Sequence, residues 1–297
     1  MARSNMFLGL ASGKIGDVVY ARSRGQQIAR VRVVPNNPRT ARQQSQRVRI
    51  AGVAALYRAA RAILKDSFTI RHGFESSYNA FARNAIALSP FFTKQMVNNC
   101  LALPIPAQAS RGTLIPLSVD VSSASSGSVE RMPSFGLDED ATIGDWSTAF
   151  IAANPTYNNG DKITFVAVLF KENEEVPLAN AYNATSFVAE IVLDTTSLQT
   201  LSAAGWTPSA VQGENTFMTP VGYPQSLSND GLLASDNVVM TAVIGSSKGP
   251  NGELLVSSEY FTLSGSARDL YEEFRTEAAL EAAIASYGSS ENSVLSV

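Results

Sequence analysis

The chain has 297 residues, 45% of them hydrophobic and 16% charged, with one cysteine, Cys100, and one histidine, His72. That is enough apolar material for one large domain or two ordinary ones, and it excludes a disulfide framework, a Cys/His zinc site and a His-based catalytic constellation. The formal net charge of −3 conceals a division: residues 1–100 hold 16 Lys and Arg against three acids, about +13, leaving seven basic and 23 acidic groups, about −16, for residues 101–297. Asymmetry of that size points to a polyanion or an acidic partner at the basic end. No apolar run reaches the ~18 residues of a membrane span. The first 11 residues lack the pattern of a signal peptide, so a soluble protein made in a reducing compartment is expected.

Residues 13–35 read as a basic hairpin. Val18, Val19 and Tyr20 lead into Ser23-Arg24-Gly25-Gln26, and Ile28 to Val34 alternates on the far side. Ala29, Val31 and Val33 share one face, expected to pack, while Arg30 and Arg32 share the other. The two prolines of Val34-Pro35-Asn36-Asn37-Pro38 force an extended connector. Thr40 with Gln43 three residues on forms a capping box, so a helix is predicted from Thr40 to about Lys65.

Within that helix Val53, Leu56, Tyr57, Ala60, Ile63 and Leu64 have the spacing of a buried stripe. Arg47, Arg58, Arg61 and Lys65 fall on a different face. Arg42 and Arg49 project close to the apolar line, so the first turns either extend beyond the core or meet something acidic. Phe74, Tyr78, Phe81 and Ala85 suggest a second helix, and Pro90 introduces a shorter apolar stretch through Met96 and Leu101.

From about residue 113 the texture becomes strands separated by Ser, Gly, Asn and Pro. Thr113 to Val121, Ile163 to Phe170, Phe187 to Leu193, Val238 to Ile244 and Leu254 to Leu263 are the candidates. They predict an α+β protein in three parts: a basic hairpin and helical region over 1–112, an antiparallel Ig-like β-sandwich over 113–265, and an acidic C-terminal helix and tail over 266–297. Asp269, Glu272, Glu273, Glu277 and Glu281 supply the acidity of the last part. Ser122 to Ser128 is the linker candidate.

Little of the chain has the form of chemistry. Gly9 to Lys14 has three residues between its glycines where a phosphate loop needs four, and Ile15 stands where that loop needs Ser or Thr. Asp138, Glu139, Asp140 and Asp145 match no calcium loop and read as a solvated turn. His72 reads as a surface or cap residue, and Cys100, beside Leu101, as a small buried hydrophobe. No catalytic residue, metal site or cofactor is expected. The candidate binding surface, for a polyanion or a protein partner, is Arg22, Arg24, Arg30, Arg32, Arg39, Arg42, Arg47, Arg49, Arg58 and Arg61. Tyr20 is the one aromatic residue between Phe7 and Tyr57, so stacking on single-stranded bases is weakly supported.

Two motifs occur in order: Ser12-Gly13-Lys14-Ile15-Gly16-Asp17-Val18-Val19-Tyr20, and Asn37-Pro38-Arg39-Thr40 followed by Gln43, Gln46 and Arg47. Together they resemble a family of phage and prophage-associated proteins of Bacteroidetes that pairs these signatures with a C-terminal β-sandwich. The resemblance covers about the first 110 residues and is architectural beyond them. It implies a non-enzymatic virion structural protein, made in the bacterial cytoplasm, that self-associates and contacts other virion proteins. The alternative is a non-specific nucleic-acid-binding or packaging protein that meets packaged nucleic acid.

Overall fold

The computed structural model describes residues 3–5, 10–23, 26–33, 40–117, 132–138, 140–173, 175, 182–212, 215–221 and 238–288. The expected linker, 122–128, lies outside them, as do Arg24 and Arg39.

The chain opens with an antiparallel meander of four strands in sequential order: β1 (Arg3–Asn5), β2 (Leu10–Ile15), β3 (Val18–Ser23) and β4 (Gln26–Val31). The hairpin read from sequence is its second half. From Leu10 onward the stretch that imitates a phosphate loop is strand β2, which crosses to β3 through Gly16, at φ 58°, and Asp17. Cross-strand register fixes two faces. Lys14, Val19 and Arg30 form one row, and Ile15, Val18 and Val31 form the next row on the opposite face. The apolar face, expected to pack, is open: Ile15 is 51%, Val31 69% and Val33 77% exposed.

Helix α1 (Ala41–Ala59) starts where Thr40 caps it, its hydroxyl accepting a hydrogen bond from the Gln43 N–H at 3.4 Å. It yields at Ala60 to a short α2 (Arg61–Leu64) that carries the stripe onward through Ile63 and Leu64. At Gly52 the helix presses against the following loop. A β-carbon there would lie 2.5 Å from Ser89 Oγ and 2.7 Å from the Phe92 ring.

Next come α3 (Ser77–Ala85) and α4 (Lys94–Asn98). Phe74, assigned to the second helix from its spacing, instead lies in the turn before α3, highly exposed, because Ser76 caps the helix two residues later. Cys100 is also corrected: it is exposed at φ 57°. The Cys100 N–H bonds the Val97 carbonyl and the Leu101 N–H bonds the Met96 carbonyl, the pattern of a Schellman stop. That left-handed turn directs the thiol outward and buries Leu101.

The main sheet is antiparallel. Its path is β11 (Leu254–Val256), β10 (Val238–Lys248), β6 (Lys162–Glu172) and β7 (Tyr182–Val192), with β12 (Thr262–Leu263) also pairing β10. A second sheet joins β5 (Met132–Pro133), β9 (Asn215–Pro220) and β8 (Trp206–Gln212). Over 113–117, where a strand was expected, there is a single bridge from Leu114 to Ser257, and 118–121 lie outside the described residues.

Both faces of the main sheet are covered. Val166, Val168, Phe170, Met240 and Ile244 belong to a core with Leu56, Leu64, Phe81 and Phe92 of the helical region. The residues between them, Phe165, Ala167, Val239 and Val243, belong to another with Trp146, Phe150 and Tyr157, joined by Trp206 and Met218 of the second sheet. Helix α5 (Ile143–Ala153) supplies Trp146 and Phe150. The order is helices, sheet, then α5 with the second sheet, whereas a sandwich of two sheets leaves one face of each to solvent. The runs Ile163 to Phe170 and Val238 to Ile244 are nearly continuous in apolar residues, as strands buried on both faces must be.

The acidic tail is two helices, α6 (Gly265–Glu273) and α7 (Glu277–Ser286), divided where Thr276 caps the second. Helix α7 lies on the first turns of α1, with Val48, Phe91 and Ala283 in a small core.

Candidate polyanion or partner interface

The predicted arginines separate into three groups. Arg30 on β4 and Arg32 just beyond it are exposed, and alternation puts both on the face of Lys14. Arg22 is exposed too, but its register opposite Gln27 puts it on the apolar face, so the sheet does not gather all its guanidinium groups on one side.

Arg42 and Arg49 stand seven residues apart, two turns along one side of α1, with Arg42 exposed and Arg49 half-buried. Arg42 lines a groove with Leu280, Glu277 and Glu281 of α7. Acidic residues of the chain's own C-terminal helix thus line the same groove as the first turns of α1, without forming an ion pair with Arg42 among the described residues. Arg49 is half-buried, its guanidinium 5.6 Å from the centre of the Phe91 ring, and its Nε has no hydrogen-bond partner.

Arg47 and Arg58, eleven residues and three turns apart, face solvent, and Arg61 and Lys65 continue that exposed row onto α2. From Arg47 to Arg61 the row is roughly 20 Å long at the helical rise. Among the described residues two ion pairs form, Arg83 with Glu75 and Lys162 with Glu190 at 2.8 Å. Each joins residues of the same half of the chain, so neither cancels the division of charge.

A cleft of about 570 Å³ opens at the end of the main sheet beside α2, where Lys162, Glu190, Lys248 and Asp66 meet Ile63, Val188, Ile244 and Leu254. Among the described residues no group of three or more His, Cys, Asp or Glu is placed to hold a metal ion, and no helix is long and apolar enough to cross a membrane. His72 is exposed in the turn before α3, its N–H donating to Glu75.

Two carboxylates have roles that the sequence reading did not assign. Asp145, taken for part of a solvated acidic loop, completes a capping box on α5: it accepts from the Thr142 N–H at 3.0 Å and returns a backbone bond to the Thr142 hydroxyl. The Thr142 hydroxyl also donates to the Asp145 carboxylate at 2.7 Å, and that bond, with the one from the Thr142 N–H, holds the carboxyl below the usual range. The signal was present, because Thr142 and Asp145 stand three apart before an apolar run. Glu259 sits in the loop between β11 and β12. Burial raises its pKa, an effect that the Leu117 N–H and Ser257 partly oppose. Tyr157 nearby is likewise raised, chiefly by burial, and its hydroxyl donates to the Ile115 carbonyl at 3.1 Å. Neither side chain lines the cleft.

Compared with family models, curated proteins and solved structures, the chain finds no match in any of the three.

Proposed function

We propose that the chain is a phage virion structural protein that assembles through its basic N-terminal module and its acidic antiparallel module. The observation that carries this reading is the first sheet: a four-stranded meander with a basic row on one face and an apolar row on the other, its apolar face left to solvent. An isolated small sheet of this kind gains its stability by covering that face. The acidic module, where the main sheet shares a core with α5 and the second sheet, is the body that would accept it. The phage assignment rests on the resemblance of the two N-terminal motifs. Ends of about +13 and −16 favour head-to-tail contact. Sedimentation of the purified chain at low and high salt tests this: assembly at low salt that dissolves at high salt is expected, and a monomer at both contradicts it.

A second reading, non-specific binding of nucleic acid, is favoured by the solvent-facing row of Arg47, Arg58, Arg61 and Lys65. It predicts binding to duplex DNA that weakens steeply with salt, each neutralised phosphate adding about 0.9 to the logarithmic slope. Absence of binding at low salt removes it.

A further inference from the structure

Among the described residues the main sheet ends on β7, an 11-residue strand, and the first sheet ends on β4. The Leu193 N–H bonds the Asp161 carbonyl toward β6. By alternation Ser186, Val188, Glu190 and Val192 therefore turn their N–H and C=O groups outward. The Arg32 N–H likewise bonds Asp17 toward β3, so Ala29 and Val31 turn theirs outward from β4. Natural edges are blunted by prolines, bulges, lysines or short length. Beyond Tyr182, whose carbonyl accepts the Ala102 N–H at 2.9 Å, strand β7 has none of these: its register with β6 is unbroken over all 11 residues and it contains no Pro or Lys.

Resting on the assembly reading above, we infer that β4 of one copy adds as a further strand to the outer edge of β7 in a neighbouring copy of this chain, so that each molecule donates one edge and accepts one. Three features select a second copy as the occupant. The donated strand carries Arg30 and is followed by Arg32, while the accepting strand carries Glu190 and is followed by Asp194. The Lys162 partner of Glu190 forms an exposed pair, which holds it weakly. Beside β7 an open groove of about 410 Å³, lined by Ala55, Ala59, Ala102 and Ala184 together with Arg58 and Thr185, has room for the exposed Ile15 and Val31 side chains of the first sheet. Backbone pairing of this kind supplies affinity, and the alternate side chains supply specificity.

The test uses two proline variants of the full chain, Ala29→Pro and Val188→Pro. Each removes an outward N–H and leaves the inward ladder intact, the setting in which an edge strand tolerates Pro. Sedimentation at low salt should show wild type assembling, each variant alone monomeric, and their equimolar mixture forming one-to-one dimers that grow no further, because only one competent edge of each kind remains. If both variants assemble as wild type does, the pairing is overturned while the assembly reading stands. If wild type is itself monomeric, the assembly reading fails and takes the pairing with it. Val31→Lys and Val188→Lys, which place a charge at the same edges without altering the backbone, give the same readout should a proline variant fail to fold; assembly of both at the wild-type level also overturns the pairing.

Discussion

The Glu259 carboxylate accepts the Leu117 N–H at 2.8 Å, joining two segments separated by 142 residues. Around it the chain is clamped to itself. The Ala109 N–H bonds the Glu259 carbonyl, the Glu259 N–H bonds Ser110, and the Leu114 N–H bonds the Val256 carbonyl. Residues 101–110, which leave the helical region almost wholly buried, are thereby held against the loop that interrupts the β11 and β12 side of the main sheet.

Because burial raises the Glu259 pKa in the fold, the folded state binds this proton more readily than the unfolded chain does. The charged form therefore opposes folding at neutral pH, and that cost disappears as pH falls through the raised value. Glu259→Gln keeps an acceptor for Leu117 without the charge. It should melt higher than wild type at pH 7, with the difference shrinking toward pH 4. Thermal melts across that range check this, and a difference constant with pH would show that the carboxylate's charge plays no part.

At Cys100 a residue with a β-carbon occupies the left-handed position of a Schellman stop. Cys100→Gly should raise stability by about 0.5–1 kcal/mol, and Cys100→Val should lower it by about 1–2 kcal/mol. Denaturant melts of the two variants should shift in opposite directions. Equal shifts in one direction contradict the assignment.

Gly52 is the point where α1 meets the loop carrying Ser89 and Phe92. In an exposed helix Gly→Ala stabilises. Here the added methyl overlaps Ser89 Oγ and the Phe92 ring, and Gly52→Ala should cost about 1–3 kcal/mol. A gain in unfolding free energy would mean that the helix does not approach the loop so closely.

Thr142 holds the start of α5, which carries Trp146 and Phe150 into the second core. Thr142→Ala should cost about 1 kcal/mol through the lost cap. Amide exchange should quicken first in the opening turn of α5, and uniform quickening across the chain would argue against a local role.

Much of this architecture was legible in the sequence because its signals are local. Thr40 begins α1, the stripe through Val53, Leu56 and Ile63 is buried, and the apolar runs at Ile163 and Val238 are strands. What was missed depends on contacts distant in sequence. Strand β8 contains Pro208, which demotes it in a sequence reading, yet it lies at the edge of its sheet, where a missing N–H is tolerated. The exposure of Val31 and Val33 could not be read from alternation, which gives the faces of a strand and not what covers them. Within the arginine set, the sequence separated Arg42 and Arg49 from Arg47 and Arg58 by helical angle. That Glu277 and Glu281 would lie beside Arg42 required α7 to fold back across more than 200 residues of chain.

As proposed above, the chain would be a component of a virus particle. Mass spectrometry of purified particles from a host carrying this gene tests it most directly. The protein should be found in the particles at a copy number in fixed ratio to the other structural proteins; particles that lack it, with the protein left in the soluble lysate, would contradict a virion role.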